Sequence, residues 1–189
     1  MIHSKRIVVA MTGASGMPYA AALLRALADA PDVEPHLIVS DAARKVWELE
    51  ADTPFDALAG LAVRTYAQNE IGASPASGSW RHHGMVVIPC TMASLAAIAN
   101  GLGSNLIHRA ADVTLKERRK LVLVTRETPL NRVHIANMLA ATDAGAIIVP
   151  ASPGFYHKPA TIHDLVRHFT GRILDLLDIP NTLTTRWEG

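Results

Sequence analysis

Six cationic residues, Arg109, Lys116, Arg118, Arg119, Lys120 and Arg126, surround one short apolar run, Leu121-Val122-Leu123-Val124-Thr125, which leads straight into Arg126-Glu127-Thr128-Pro129. Such a run reads as a buried strand, and in an α/β protein ligands bind beyond the carboxyl ends of the strands. A charged pair held there is costly unless something anionic or catalytic uses it. The chemistry suggested is a grip on phosphate coupled to proton movement. Arg109 and Lys116 lie seven residues apart on one predicted helix. Seven steps of ~100° return to within about 20° of the starting face, so both can point the same way. Both sit among apolar positions, which favours a functional use. Arg118, Arg119 and Lys120 at the helix end read instead as solvated charges that complement its dipole. Arg172, within Gly171-Arg172-Ile173-Leu174, is a case like Arg109 with less around it.

Other segments offer donors at strand ends. Thr12-Gly13-Ala14-Ser15-Gly16 is a turn of small residues whose backbone N–H groups could approach a phosphate at a helix N-terminus. It is neither G-x-G-x-x-G nor a lysine-bearing phosphate loop, so an ordinary tight turn explains it as well. Asp41, after Ser40, is placed either to bind a ribose or to cap a helix. Pro89-Cys90-Thr91-Met92-Ala93-Ser94-Leu95 brings hydroxyl and N–H donors to the same edge, with Thr91 as a natural N-cap. Cys90 reads as a small buried hydrophobe rather than a nucleophile. Of nine histidines only His82-His83 and His163/His168 are close in sequence, and neither pair has helical zinc spacing, so no metal site is expected. His157, in Pro153-Gly154-Phe155-Tyr156-His157-Lys158-Pro159, belongs to a loop that could clamp a phosphate beside Tyr156 or serve only as a rigid connection.

The elements that must position these groups alternate. Strands are predicted at Ile7–Met11, His36–Val39, Met85–Ile88, Leu121–Thr125 and Ala146–Val149. Helices are predicted near Pro18–Leu27, Asp41–Glu50, Thr91–Asn100, Leu106–Arg118, Pro129–Ala141 and Thr161–Leu177. That order implies a parallel sheet covered by helices on both sides. Residues 51–84 break the rhythm, and Ala73–Ser79 reads as loop. The 189 residues suit one domain spanning 1–189. Its tail, 181–189, ends in Arg186-Trp187, which a disordered tail would not need.

Apolar residues make up 49% of the chain and charged residues 19%, an excess of Ala, Leu, Ile and Val that suggests subunit contacts in a homo-oligomer. A net charge of +1 argues against nucleic acid as main partner. No apolar run nears the roughly 20 residues needed to cross a bilayer. Met1–Arg6 enters a strand at once, so no signal peptide is expected, and a single cysteine fits a reducing, cytoplasmic setting.

Six segments in order, MTGASG at Met11–Gly16, PASGS at Pro75–Ser79, RAADVTLKERR at Arg109–Arg119, RETP at Arg126–Pro129, PGFYH at Pro153–His157 and Arg186-Trp187, resemble the UbiX-type flavin prenyltransferases across nearly the whole chain. The resemblance implies a Rossmann-like, flavodoxin-related three-layer αβα sandwich with a mainly parallel sheet, assembled as a dodecamer. It implies transfer of a dimethylallyl group from dimethylallyl monophosphate to reduced FMN at N5 and C6, without metal. Phosphate is released, and the prenylated FMN serves a separate UbiD-type decarboxylase. By resemblance Gly13, Ala14, Ser15, Ser40, Thr91, Met92, Ala93, Ser94 and Arg126 hold FMN, with Met92 and Ala93 acting through backbone where the family often has Ser or Thr. Ser77, Arg109, Lys116, Tyr156 and Arg172 hold the donor phosphate, Trp187 covers the prenyl group, and the tail closes over the site. Glu127 exchanges a proton near the phosphate and N5, and a Ser15–Glu50 relay takes the proton from C6. Glu50 ends a predicted helix, where a carboxylate opposes the dipole; a raised pKa with catalytic use and a solvated helix end both agree with that placement. Two alternatives share the fold. One is an FMN-dependent cysteine decarboxylase, whose PASANT-type segment has an Asn that PASGS lacks; the other is a non-catalytic FMN carrier, which leaves the surplus of phosphate-suited cations without a use.

Overall fold

The first strand, β1 (Lys5–Met11), is a β-branched run whose residues Ile7 to Met11 are fully buried, as a central strand covered on both faces requires. The computed structural model describes residues 4–184 and 186. Helix α1 (Met17–Ala28) follows, then β2 (Val33–Val39), α2 (Asp41–Glu50), a short α3 (Phe55–Ala59) and β3 (Arg64–Ala67). The chain continues through β4 (Gly84–Cys90), α4 (Met92–Ala99), α5 (Leu106–Lys116) and β5 (Lys120–Thr125). It ends with α6 (Arg132–Asp143), β6 (Ile147–Pro150) and α7 (Ile162–Leu176).

The six strands form one sheet in the order β3-β2-β1-β4-β5-β6, and every described pairing is parallel. Alternation along the strands divides the core in two. Ile7, Val9 and Met11 face α1 and α7 (Leu24, Phe169, Ile173), whereas Val8 and Ala10 face α4 and α5 (Leu95, Ile107, Ala111). This is the three-layer αβα sandwich expected. Each fully buried aliphatic side chain contributes about 1.5–3 kcal/mol, so the two apolar layers hold the sheet between the helices.

The structure adds a sixth strand in the stretch that broke the rhythm. Arg64–Ala67 has four residues and buries only Tyr66, because it lies at the sheet edge; α3 precedes it. Ser74–Ala76 is a 3₁₀ turn. Reversal of strand order between β1 and β4 opens a crevice at their carboxyl ends, where the turns at 12–16 and 91–94 meet.

Candidate active site

Thr12 joins those two turns. Its hydroxyl donates to the Pro89 carbonyl at 2.7 Å and accepts from the Thr91 N–H at 2.8 Å. Gly13 is required by close packing: a Cβ there would lie 2.5 Å from the Ala42 Cβ at the start of α2. Ser40 caps α2 by accepting from the Ala43 N–H at 3.0 Å, so capping falls to Ser40 and not to Asp41. Asp41 accepts from the Gln68 side chain at 2.8 Å. Thr91 caps α4 by accepting from the Ser94 N–H at 3.1 Å and donates to the Ser94 hydroxyl, also at 3.1 Å. Met92 and Ser94 are buried and Ala93 is exposed.

Helix α1 starts at Gly16 without a capping side chain of its own. Glu50, from the end of α2, does that work: its Oε2 accepts from the N–H groups of Gly16 and Met17, both at 2.9 Å. Burial opposes ionisation of Glu50. The Ser15 hydroxyl, the two N–H groups and the charge of Arg126 outweigh it and hold the carboxyl below its ordinary range. The expectation of a raised pKa is therefore corrected, because Glu50 meets the positive end of a second helix as well as the negative end of its own. Ser15, Glu50 and Arg126 thus share one crevice although they come from three separate segments, the turn after β1, the end of α2 and the end of β5. The Arg126 Nε is buried without a partner among the described residues, a donor awaiting an acceptor. Glu127 and Arg126 line a cavity of about 260 Å³ with Thr125, Met138 and Ser152 at the ends of β5 and β6. The partnerless Nε of a buried arginine and a closely packed glycine turn fit a flavin nucleotide.

The remaining predicted residues form two other groups. Gly78, the residue after Ser77, lies beside Lys116: a Cβ there would sit 3.1 Å from the Lys116 Nζ, while the Ser77 hydroxyl hydrogen-bonds that of Ser79 at 2.9 Å. Lys116 ends α5 just before β5 begins, whereas Arg126 follows the end of β5, so five residue steps of ~3.3 Å separate the two ends of the strand. The cations around β5 therefore do not form one cluster within the chain. Arg109 is half exposed, next to Asp112 at 3.6 Å. Arg119, expected to be solvated, is only 14% exposed and donates to two carbonyls of the turn at 78–80. Lys120 pairs with Asp178 and Arg118 is exposed.

The third group is built on α7, in the layer opposite α5. Tyr156 hydrogen-bonds the His168 Nε2 at 2.8 Å, and His168 stacks on His157 at 4.1 Å. Burial, then the charges of His157 and Arg172, hold His168 below its ordinary pKa, so it is neutral at pH 7. Arg172, one turn on, bonds Asp175 at 3.0 Å, and Asp175 also receives both guanidinium nitrogens of Arg186. Sequence reading set His168 aside as part of a metal pair; its i, i+4 spacing to Arg172 was the available signal. Trp187 lies outside the described residues. Cys90 is fully buried, which pushes its thiol up to about 12 and keeps it unreactive. Among the described residues no cluster of three metal-ligating side chains occurs, and no helix is long and apolar enough to cross a membrane.

A wholly parallel doubly wound sheet with a polar crevice at its switch point, lined by capped helix starts and an arginine whose buried Nε has no partner among the described residues, defines a nucleotide- or flavin-binding α/β protein. Comparison with known proteins narrows the class. The sequence matches the Flavoprotein family over residues 1–174. It is 52% identical to flavin prenyltransferase LpdB of Lactiplantibacillus plantarum over 185 residues, covering 98% of this chain and 99% of that one. The fold superposes with a TM-score of 0.96 on crystalline AnUbiX in complex with FMN and dimethylallyl pyrophosphate, at 46% identity and 98% coverage of both chains. It superposes with a TM-score of 0.95 on a dodecameric FMN-dependent UbiX-like decarboxylase of Escherichia coli O157:H7, at 44% identity over 97% of this chain and 100% of that one. The chain belongs to the flavoproteins and, within them, to the UbiX-type flavin prenyltransferases.

Proposed function

We propose that this protein transfers the dimethylallyl group of dimethylallyl monophosphate to N5 and C6 of reduced FMN and releases phosphate. The observation that carries this reading is the crevice shared by Ser15, Glu50 and Arg126, with Glu50 held ionised. As the allylic C–O bond breaks, its electron pair leaves on phosphate, where fixed cations stabilise the charge in place of a metal, while the N5 electron pair forms the new N–C bond and the N5 proton passes to Glu127. Closure of the fourth ring is an isomerisation: one proton leaves C6 and one arrives at the alkene. An ionised Glu50 accepts the first through Ser15, and Glu127 beside Arg126 exchanges the second. Gly13, Ala14, Ser40 and the turn at Thr91–Ser94 hold the flavin, Arg126 meeting its electron-rich edge.

Ser77, Arg109 and Lys116 on one side, and Tyr156 and Arg172 on the other, are proposed to hold the donor phosphate. Because α5 and α7 cover opposite faces of the sheet, the site is completed by other copies of the chain. Helix α6 supports assembly: it buries only Ala141 and exposes Val133, Ile135 and Leu139. A dodecamer like that of the Escherichia coli relative is the assembly proposed. Residues 181–189 are proposed to close the site; Arg186 already ties the tail to Asp175, beside Arg172. The product is passed to a UbiD-type decarboxylase in the cytoplasm.

Anaerobic incubation of the protein with reduced FMN and donor, followed by mass spectrometry of the flavin, tests the reading. A prenylated flavin is expected. Unchanged FMN would leave a carrier, and carbon dioxide release from a peptidyl-cysteine would indicate a cysteine decarboxylase instead.

A further inference from the structure

Arg119 lies three residues beyond Lys116, and its guanidinium is turned inward. Its Nη2 donates to the Gly78 carbonyl at 2.7 Å and its Nη1 to the Trp80 carbonyl at 3.2 Å. The same Nη2 is 3.8 Å from the Glu117 Oε2, while the Glu117 Oε1 accepts from the Lys116 Nζ at 2.9 Å. One planar cation therefore joins the turn that carries Ser77 to the helix end that carries Lys116. The turn is closed by the Trp80 N–H donating to the Ser77 carbonyl at 3.2 Å. It is anchored by the Trp80 ring, edge-on to His36 at 4.9 Å and beneath the Arg6 guanidinium at 5.3 Å. Its fit against the helix depends on Gly78, where a Cβ would lie 2.3 Å from the Glu117 Oε1.

We propose that Arg119 and Glu117 are positioning residues that hold the Ser77 hydroxyl and the Lys116 ammonium in register for the donor phosphate. This rests on the reading of Ser77 and Lys116 as phosphate ligands. A lysine has a long, freely rotating stem, and fixing its ammonium before the anion arrives removes an ordering cost from binding. Glu117 supplies that fixation. It is ionised at neutral pH, the Lys116 hydrogen bond and then the Lys116 charge holding its carboxyl below the ordinary range. Only an arginine can span two carbonyls and a carboxylate at once, because its donors lie in a rigid fork.

The test is steady-state kinetics with dimethylallyl monophosphate and reduced FMN on the intact oligomer, with FMN affinity measured separately. Arg119→Gln is expected to raise the donor KM about tenfold, leaving kcat and FMN affinity within about twofold. Arg119→Lys should fail to rescue, since charge without the fork does not hold both carbonyls. Gly78→Ala, whose methyl would meet the Glu117 Oε1 at 2.3 Å and the Lys116 Nζ at 3.1 Å, should give the same signature. In a Lys116→Ala background, Arg119→Gln should add less than about twofold. A donor KM sensitive to Lys116→Ala but unmoved by Arg119→Gln and Gly78→Ala refutes the clamp. FMN affinity falling in parallel with donor binding also refutes it, as the sign of general collapse. A donor KM indifferent to Lys116→Ala refutes instead the reading of Lys116 on which the clamp depends.

Discussion

Replacing Glu50 separates its two functions. Its carboxylate satisfies two N–H groups at the start of α1 that have no other acceptor among the described residues, each at 2.9 Å. Bonds to a charged acceptor contribute about 1.5–3 kcal/mol each, and partial access of water at this helix end lowers the net loss. Glu50→Ala should therefore cost about 2–4 kcal/mol. Glu50→Gln keeps an amide oxygen for the same N–H groups and should cost about 1 kcal/mol. For a chain of this size each kcal/mol is worth roughly 2–4 °C in Tm, so the variants should melt about 4–16 °C and about 2–4 °C below the parent. Circular dichroism melts measure this. Catalytically the order reverses in interest, because Glu50→Gln keeps the fold but cannot accept a proton. Turnover by this variant should yield a flavin joined at N5 with the C6 proton still visible by NMR. A Glu50→Ala melt superposable on the parent would refute the capping argument, and complete ring closure by Glu50→Gln at the normal rate would refute the relay.

Three further outcomes are expected. Lys116→Ala should weaken donor binding by about tenfold or more with FMN binding intact, read by donor KM and flavin fluorescence. Gly13→Ala should lose about 1–3 kcal/mol and impair FMN binding together, since the new methyl meets the Ala42 Cβ; unchanged urea unfolding would contradict the geometry. Acid should destabilise the fold through His82, where burial and then the Arg119 charge lower the pKa from 6.5 to about 4. The unfolded chain binds that proton first, so this contribution is complete above pH 6.5 and is lost as pH falls towards 4, by at most about 3 kcal/mol. Urea midpoints of a His82→Gln variant should show a flatter decline over that window; a parallel decline would remove His82 from the account.

What could be read from the sequence divides along physical lines. The interior strands announce themselves because burial on both faces demands unbroken apolar runs, and Asp41–Glu50 opens on a capping signal at Ser40-Asp41. Arg64–Ala67 did not, since an edge strand with one buried residue carries no such run. The turn at Gly13–Ser15 and Arg126 were legible as strand-end donors. Glu50 as the cap of α1 was not, because its partners lie 34 and 33 residues away and local patterning shows only the wrong end of its own helix. Arg119 failed for a related reason: three adjacent cations look alike in sequence, and only packing against Gly78 and Trp80 singles one out. The separation of Lys116 from Arg126 follows from the direction of β5, which proximity in sequence conceals.

The central claim is that fixed protein cations expel phosphate from an allylic donor as its dimethylallyl group transfers to flavin. It is tested most directly by measuring inorganic phosphate and consumed FMN together, anaerobically and with a metal chelator present. The account predicts equal amounts of each at an undiminished rate. Phosphate release without loss of FMN, or release abolished by the chelator, would contradict it.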